Sequence, residues 1–255
     1  MRELKNDQEA KKLLNLAIKL GRTMLKHGAE IYRVEDTITR IYKSYDNIKA
    51  ANALVTYNFI IVSFIYNDTH YTNMRRVVLG EKNLEKISLI NSLSRQIVSG
   101  SLNLDESFKQ LTEIKNMRSY PGWAVIAAMM VSGPFFAIMF GGTFKDSIFA
   151  MLIMIIESAF LIFATKVKVM NFLSNFLGAF IATVVVMLAA KFLPITNPSS
   201  IIIVSIMPLV PGVQVTNSVR DFMAGDYISG MIGLQAAVFG ATTIALGVVF
   251  GLKLV

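Results

Sequence analysis

IMPLVPGVQVTNSVRDFMAGD, residues 206–226 of the chain, places two prolines inside a run of apolar residues that begins at Ile201. A proline removes a backbone donor and clashes with the carbonyl group four residues earlier, so Pro208 and Pro211 would leave backbone polar groups unpaired in lipid. Protein or water in a cavity must satisfy such groups, and discontinuous helices of this kind mark the binding sites of many transporters. The stretch therefore predicts a broken membrane span from Ile201 to about Thr216.

Uncharged polar and charged side chains follow directly after this break. Gln214, Thr216 and Asn217 add polar groups to the predicted substrate pathway. Arg220 and Asp221, which follow them, are expected to form a gate-like ion pair. The alternative interpretation is a simple proline kink followed by a cytoplasmic loop, in which case the segment surrounds no wet passage.

Apolar runs of spanning length lie on both sides of the broken segment. A hydrocarbon core about 30 Å thick needs about 20 apolar residues at 1.5 Å each. Four further runs roughly satisfy this length, namely residues 122–141, 147–164, 172–193 and 228–251. Trp123 lies where an interfacial aromatic residue is expected. Residues 121–255 are therefore predicted to form a membrane α-helical bundle of about five transmembrane helices, the fourth of them broken.

The composition predicts that one half of the chain lies in water and the other half lies in lipid. Hydrophobic residues make up 54% of the 255-residue chain and charged residues only 16%, with a mean hydropathy of +0.54. These values lie outside the range of an ordinary soluble domain. Residues 1–120 nevertheless hold 19 of the 25 Lys and Arg and 13 of the 17 Asp and Glu. We therefore expect a soluble domain over residues 1–120, whereas residues 121–255 require lipid.

The pattern of residues 1–120 is typical of a small α+β domain. Two stretches of helical spacing come before residue 46 and two more come after residue 83, at 6–27, 31–45, 84–97 and 104–111. Between them, residues 49–79 are rich in β-branched and aromatic residues and contain turn residues. That pattern predicts two or three antiparallel strands.

Charge and residue usage exclude several classes of function. The net charge of +8 comes without a basic stripe interleaved with aromatic residues, so we expect no nucleic-acid partner and attribute the charge to anionic lipid. The chain has no cysteine and only two histidines, which excludes disulfides and thiol catalysis and argues against zinc. We expect no metal, no cofactor and no catalytic residue.

The distribution of basic residues predicts the orientation in the membrane. The first residues include no uninterrupted apolar segment of the signal-peptide type, so we expect the N-terminus to stay inside. Five spans place the N-terminal domain on one side with Lys166, Lys168 and Arg220, and place Lys145, Lys191 and Lys253 on the other. The chain is thus predicted to lie in the cell (inner) membrane. The positive-inside rule places its N-terminus in the cytoplasm and its C-terminus on the outer side of that membrane.

Glu157 lies in the middle of the second predicted span. An ionisable group at that depth costs about 2.5–3.5 kcal/mol on insertion scales, so it normally faces a cavity or a partner. Glu157 is therefore a candidate proton or substrate site. The alternative is a protonated or snorkelling glutamate near the edge of a shorter span.

The last predicted span carries small residues at fourfold spacing, namely Gly233, Ala237, Ala241 and Ala245. Small residues let helix backbones approach closely, so this ridge is expected to be a packing face within the bundle or against another subunit. Gly247 and Gly251 form a second small pair.

HGAEIYRVE, residues 27–35, concentrates ionisable residues in the N-terminal domain, namely His27, Glu30, Arg33 and Glu35. At about 100° per residue, Glu30 falls close to the apolar stripe of its helix, so its carboxylate needs a partner. Arg33, one turn away, supplies one only in part. Acid/base hydrolysis by Glu30 and His27 is one interpretation, and a structural ion-pair network is the other.

Three groups of residues together resemble the threonine/serine exporter family. They are HGAEIYRVEDTI at residues 27–38, NLEKI and NSLSR at residues 83–87 and 91–95, and PLVPG at residues 208–212 with the polar positions as far as Tyr227. The resemblance spans nearly the whole chain and is greatest for the longer subunit of the split, YjjP-like type. By this resemblance Glu30 and Arg33 match the family's charged motif. Its broken-span motif matches Pro208, Pro211, Gly212, Asn217, Asp221 and Asp226.

The resemblance implies efflux of small polar metabolites, which are hydroxy amino acids in fused members and a dicarboxylate such as succinate in split members. It also implies a second, shorter membrane subunit of about four spans, and the chain is expected to lack that half. A homo-oligomer is a further possible assembly. At Thr56-Tyr57-Asn58 the chain departs from the Thr-Pro-Thr-like turn that we expect in relatives.

Three functions are therefore compared. The first is a secondary exporter without enzymatic activity, driven by an ion gradient or by the substrate gradient because the sequence contains no nucleotide-binding motif. The second is a membrane-tethered sensor or regulatory subunit whose cytoplasmic domain is the working part. The third is a membrane-bound hydrolase that uses Glu30 and His27.

Overall fold

The computed structural model describes residues 2–80, 82–118 and 120–255. By their contacts these residues group into two compact units. The first contains the N-terminal residues to 118 together with Val213–Leu234, and the second contains Tyr120–Gly212 and Gln235–Val255. The sequence pattern divides the chain at residue 120, whereas the contacts assign the segment from Val213 to the N-terminal elements.

The N-terminal elements of the first unit are four helices and a sheet. The helices are α1 (Asp7–Lys26), α2 (Ile31–Lys43), α3 (Leu84–Val98) and α4 (Leu104–Asn116), and the strands are β1 (Lys49–Val55), β2 (Phe59–Tyr66) and β3 (Thr69–Arg76). The sheet has the order β1-β2-β3 and both pairs are antiparallel. Asn83 and Asn103 begin α3 and α4 because their side chains accept the backbone N–H groups of the first turn.

The core of these elements lies between α1 and one face of the sheet. Along β2 the burial alternates residue by residue, so that Ile60, Val62 and Phe64 are buried together. The stripe of α1 that includes Leu13 and Leu20 is fully buried in the same cluster. Each such side chain contributes about 1.5–3 kcal/mol on burial. This core gives α2 and the β1–β2 turn fixed positions.

The apolar helices are long enough to cross a membrane. They are α5 (Gly122–Met139), α6 (Phe144–Val167), α7 (Asn171–Phe192) and α10 (Tyr227–Leu254). The bent pair of α8 (Pro198–Ile206), with the 3-10 turn Met207–Leu209, and α9 (Gly212–Ala224) passes the same test as one broken span. The described residues thus hold four candidate spans, or five with the pair, which agrees with the predicted number of about five.

Glycines bring the helices of the second unit into close contact. A Cβ atom at Gly133 would lie 2.9 Å from the backbone oxygen of Ala150, so α5 and α6 approach at this point. A Cβ atom at Gly247 would lie 2.5 Å from the backbone oxygen of Phe176, and one at Gly251 would lie 2.8 Å from Cβ of Thr183. Gly247 and Gly251 are therefore the contact of α10 with α7.

The predicted ridge of small residues on α10, spaced four positions apart, is buried at one end and exposed at the other. Gly233 and Ala237 are buried, whereas Ala241 and Ala245 are exposed. In the second unit α10 packs against α7 through Gly247 and Gly251, and Ile244 is buried against Ala179 of the same helix. The outer half of the ridge is therefore not an intrachain packing face, and the proposal that it contacts another subunit stays open.

A buried aspartate holds the α7–α8 connection in the second unit. Asp146, in the first turn of α6, forms a capping box with Thr143. Its Oδ1 atom accepts the backbone N–H groups of Thr196 and Asn197 at 2.8 and 3.2 Å. The carboxylate is fully buried and its hydrogen bonds are satisfied by the protein, so we assign it a structural role.

Gly247→Ala should destabilise the protein although alanine is the better helix former. A Cβ atom there forces α7 and α10 apart, and overpacking of this kind costs about 1–3 kcal/mol. Gly240→Ala on the same helix is the matched control, since its nearest neighbour would be 3.8 Å from the new Cβ, and it should gain about 0.5–1 kcal/mol. Thermal unfolding in detergent ranks the two variants. A melting temperature of Gly247→Ala at or above that of the parent protein would contradict this packing.

Candidate functional site

Within the first unit, four polar residues of α9 contact the N-terminal elements. Arg220 donates to the Glu30 carboxylate, which lies 190 positions earlier in the chain. Asn217 donates to the backbone oxygen of Gly28 at 3.1 Å. The two stretches that stood out in the sequence, residues 27–35 and residues 213–226, therefore meet at one place.

Glu30 is the centre of an ion-pair network. Its side chain is only 7% exposed, and its Oε1 atom accepts from the Arg220 guanidinium. Arg33 lies 3.4 Å from the other carboxylate oxygen, one turn along α2. The expectation that Arg220 pairs with Asp221 differs from this arrangement, because the N-terminal domain supplies a buried carboxylate to Arg220. Glu30 and Arg33 of the residue 27–35 motif take part in this network, and the structural interpretation of the motif stays a prediction.

Asp221 satisfies the start of α2. Glu30 is the N-cap residue of α2 but its side chain makes no capping hydrogen bond, so the first N–H groups need another acceptor. The backbone N–H of Ile31 donates to the Asp221 carboxylate. Asp221 is 4% exposed, and its Oδ1 atom has no hydrogen-bond partner among the described residues. One oxygen is thus used for capping and the other is left for a ligand or a proton.

Gln214 connects α9 to the turn between β1 and β2. Its side-chain amide donates to the Tyr57 hydroxyl at 2.7 Å and to the backbone oxygen of Gly233 at 3.2 Å. The turn is closed by hydrogen bonds between Thr56 and Phe59, so Tyr57 is held at its tip. The position where this chain departs from the expected Thr-Pro-Thr-like turn is therefore part of the site.

A small cavity of about 80 Å³ lies among these groups. Its polar lining combines residues of α9 with a lysine at the end of α1 and a lysine from the loop before α3. It includes Lys26, Tyr57, Lys82, Gln214, Asn217 and Asp221. Backbone hydrogen bonds from Gly80 and Asn83 to Lys26 and His27 fix that loop. Burial lowers the pKa of the Lys82 ammonium. The cavity is therefore lined by one carboxylate, two lysines and neutral polar groups around one small volume.

Glu35 extends the acidic side of the site. Its Oε1 atom accepts the backbone N–H of Val55 at 2.7 Å. Burial raises the pKa of Glu35, the hydrogen bond from Val55 lowers it, and the charges of Asp226 and Asp221 raise it further. Among the described residues there is no group of three or more His, Cys, Asp or Glu that could hold a metal ion.

In the second unit, Glu157 is a buried carboxylate without a matching cation. It is 1% exposed, and its Oε1 atom has no hydrogen-bond partner in the described part of the chain. A Cβ atom at Gly178 of α7 would lie 2.6 Å from this oxygen, so the glycine makes room for the carboxylate. Leu209 of the 3-10 turn lies at 3.3 Å from the same Cβ position. Glu157 therefore lies beside α7 and close to the helix break.

The break itself occupies Met207 to Pro211. Pro208 lies inside the 3-10 turn, and the N–H of Val210 donates to the backbone oxygen of Met207 at 3.2 Å. Pro211 precedes Gly212, the first residue of α9. A Cβ atom at Gly212 would meet no neighbour within 4 Å, so close packing does not explain this glycine. The two prolines thus end one helix before the next begins, as their chemistry requires.

The structure brings together many of the predicted site residues and separates others. The predicted site residues from the N-terminal domain share the first unit with those from Gln214 to Asp226. Glu157, Pro208, Pro211 and Gly212 belong to the second. His27 ends α1 through its backbone N–H. Sequence reasoning missed Tyr57, Lys82 and Gly178. Only the departure at Tyr57 carried a signal, since a single lysine or glycine has no distinctive pattern.

Comparison with known proteins identifies relatives along most of the chain. The ThrE family model, described as "Putative threonine/serine exporter", matches residues 15–255. The "Probable threonine/serine exporter" of Mycobacterium tuberculosis is 22% identical over 97% of this chain and 47% of its own length. The "Threonine/serine exporter" of Corynebacterium glutamicum is 24% identical over 99% of this chain and 53% of its own length.

A third relative has a similar length. The "Probable succinate transporter subunit YjjP" of Klebsiella aerogenes is 23% identical over 98% of this chain and 96% of its own length. The chain thus spans about half the length of the two exporters and nearly all of the succinate transporter subunit. No solved structure matches it significantly. These relatives and the apolar helices identify a multi-pass membrane protein.

Arg220→Gln should lower the melting temperature in detergent. The change leaves the buried Glu30 carboxylate with only the long contact to Arg33, and an unsatisfied buried group costs roughly 1–3 kcal/mol. The double variant Glu30→Gln with Arg220→Gln should recover part of this loss, because it buries no unpaired charge. Arg75→Gln, at an exposed position of β3, controls for the loss of one positive charge. A double variant less stable than Arg220→Gln would contradict the pairing.

The stability of the protein should fall as the pH rises through the range in which Glu35 ionises. Because the pKa of Glu35 is raised above its ordinary value of 4.5, the folded state holds the proton more tightly than the unfolded state, and stability decreases above that value. Glu35→Gln keeps an acceptor for Val55 and should flatten this slope. Melting temperatures from pH 4 to 8, in steps of about one unit, measure the slopes, and identical slopes would contradict the assignment.

Proposed function

The chain belongs to the threonine/serine exporter family, and we propose that it is a subunit of a secondary exporter for small polar metabolites. The substrate is a hydroxy amino acid such as threonine or serine, or a dicarboxylate such as succinate. The single observation that carries the proposal is the cavity that presents Asp221 and Lys82 together. The names of the relatives support the substrate classes.

The cavity has the charges that a zwitterion needs. An amino acid carries an ammonium and a carboxylate on one carbon atom, so it fits a site that offers both an acidic and a basic side chain. The unpartnered Oδ1 atom of Asp221 accepts the substrate ammonium, and the Lys82 ammonium binds the substrate carboxylate. Charge-assisted hydrogen bonds of this kind are about twice as strong as neutral ones. Because Lys26 lines the cavity as well as Lys82, a dicarboxylate such as succinate stays the alternative substrate.

Neutral acceptors in the cavity favour a substrate with a hydroxyl group. The side-chain N–H groups of Gln214 and Asn217 donate to Tyr57, Gly233 and Gly28. We assign the side-chain oxygen atoms of Gln214 and Asn217, which line the same cavity, as the acceptors of the substrate hydroxyl. A site that hydrogen-bonds a substrate hydroxyl rejects the analogue that lacks it. Serine and threonine should thus be preferred to alanine and valine.

Glu157 and the proline break form the membrane part of the proposed pathway. A buried carboxylate within a span is expensive unless it has a role or a partner. Glu157 is the proposed proton site, which couples export to an ion gradient. Pro208 and Pro211 supply the discontinuous helix on which transporter sites are often built.

The proposal also includes the orientation of the chain in the membrane and its assembly with other subunits. The N-terminal residues to about 120 lie in the cytoplasm and the C-terminus lies outside, as the positive-inside rule predicts. The chain works with a shorter membrane subunit of about four spans. Support for this comes from the relative that is named as a transporter subunit. A second copy of the chain is a further partner.

Transport by proteoliposomes tests the proposal. Vesicles with the chain alone, and with the shorter membrane protein from a neighbouring reading frame, are assayed for serine, threonine and succinate flux. The paired sample should transport serine and threonine. Absence of flux for all three compounds in the paired sample would overturn the proposal, and a succinate-only result would reassign the substrate.

Asp221→Asn should reduce serine flux in the paired vesicles roughly tenfold to a hundredfold, since it removes one charge-assisted hydrogen bond. Asparagine keeps an acceptor for the N–H of Ile31, so α2 stays capped. Lys82→Gln should weaken transport in the same way, and Glu157→Gln should uncouple it from the ion gradient. Arg75→Gln is the control variant. A sensor or regulatory subunit predicts no effect of these changes on flux.

A further inference from the structure

A groove rich in arginine lies on the N-terminal elements, apart from the cavity described above. It has a volume of about 380 Å³ and runs between α2 and α3. Arg33 and Arg40 project from α2 two turns apart, and Arg95 projects from α3. None of the residues that line this groove lines the Asp221 cavity.

The charge of the groove is not compensated by its own lining. Asp36 is the one acidic residue among the lining residues, and it pairs with Arg40 at 2.7 Å. Three arginines and one aspartate leave a net charge of +2. The side chain of Arg95 has no ion pair or hydrogen-bond partner in the described part of the chain. A surface that collects cations in this way attracts anions.

Arg33 is available to the groove because Glu30 is already neutralised. The Glu30 carboxylate is bound by Arg220, and its contact with Arg33 is long, at 3.4 Å. The Arg33 side chain is half exposed, whereas that of Glu30 is buried. The guanidinium can therefore turn its remaining donors towards the groove. The amide of Asn91 adds a neutral donor on the α3 side.

We propose that this groove binds an oxyanion with two or more negative charges, carrying phosphate or carboxylate groups. Guanidinium groups match the geometry of both, and they bind them through paired N–H donors. A volume of 380 Å³ is within the ordinary range for small-molecule sites. The source of the oxyanion is a free metabolite or the headgroup of an anionic lipid. This anion site is separate from the proposed transport site. An anion bound there would act as an effector of transport.

Titration of the full-length protein in neutral detergent tests the inference. Sodium pyrophosphate and citrate serve as soluble probes at constant ionic strength, and chloride serves as the reference anion. A second arm measures binding of short-chain phosphatidic acid, whose phosphate monoester can carry two negative charges, against short-chain phosphatidylcholine in the same detergent. Binding of the soluble probes identifies a metabolite site, and binding of phosphatidic acid alone identifies a headgroup site.

Variants separate the groove from general charge attraction. Arg95→Gln and Arg40→Gln should each weaken binding about tenfold or more, because each removes a charge-assisted contact. Asp36→Asn removes the acidic lining residue and should strengthen binding. Arg76→Gln, exposed on β3, should leave it unchanged. Equal affinity of Arg95→Gln and Arg76→Gln in both arms, or weaker binding by Asp36→Asn, would overturn the proposal.

Discussion

The requirement that Glu30 has a cation is the constraint on which the first unit depends. A carboxylate that is 7% exposed needs compensation, and Arg220 of α9 provides it. Once Arg220 is fixed, the helical spacing of α9 places Asn217 against Gly28 and Asp221 against the start of α2. The cavity is the space that remains between these fixed contacts. A single ion pair thus determines where the polar lining of the proposed substrate site lies.

Two buried carboxylates differ in how well the protein satisfies their hydrogen bonds, and this difference distinguishes a structural role from a proposed functional one. Asp146 and Glu157 both lie on α6, and both are almost completely buried. Asp146 accepts hydrogen bonds from Thr143, Thr196 and Asn197, so its charge is solvated by the protein. Glu157 has an oxygen with no such partner among the described residues. The first stabilises a connection between helices, and the second carries an energetic cost that a transport role would explain.

Periodicity predicted most of the elements but few of the contacts. The apolar runs gave about five candidate spans because a bilayer fixes their length, and the two prolines placed the break correctly. The stripe of α2 predicted that Glu30 would be only partly exposed and would need a partner, and its side chain is 7% exposed. Its partner was not predictable, because a contact across 190 positions depends on the tertiary structure and leaves no local pattern. The same reason explains why Lys82, Tyr57 and Gly178 were missed.

The cap that Asp221 provides to α2 also has a consequence for the order of synthesis. A ribosome makes the chain from its N-terminus, so α2 emerges long before the aspartate that accepts the N–H of Ile31. Until then its first turn and the nearby Glu30 carboxylate must be hydrated. The N-terminal helices and sheet can fold early around their own core. The start of α2 and the Glu30 carboxylate, however, gain their partners only after most of the hydrophobic segments have been translated. Maturation of the site is therefore tied to insertion of the later helices.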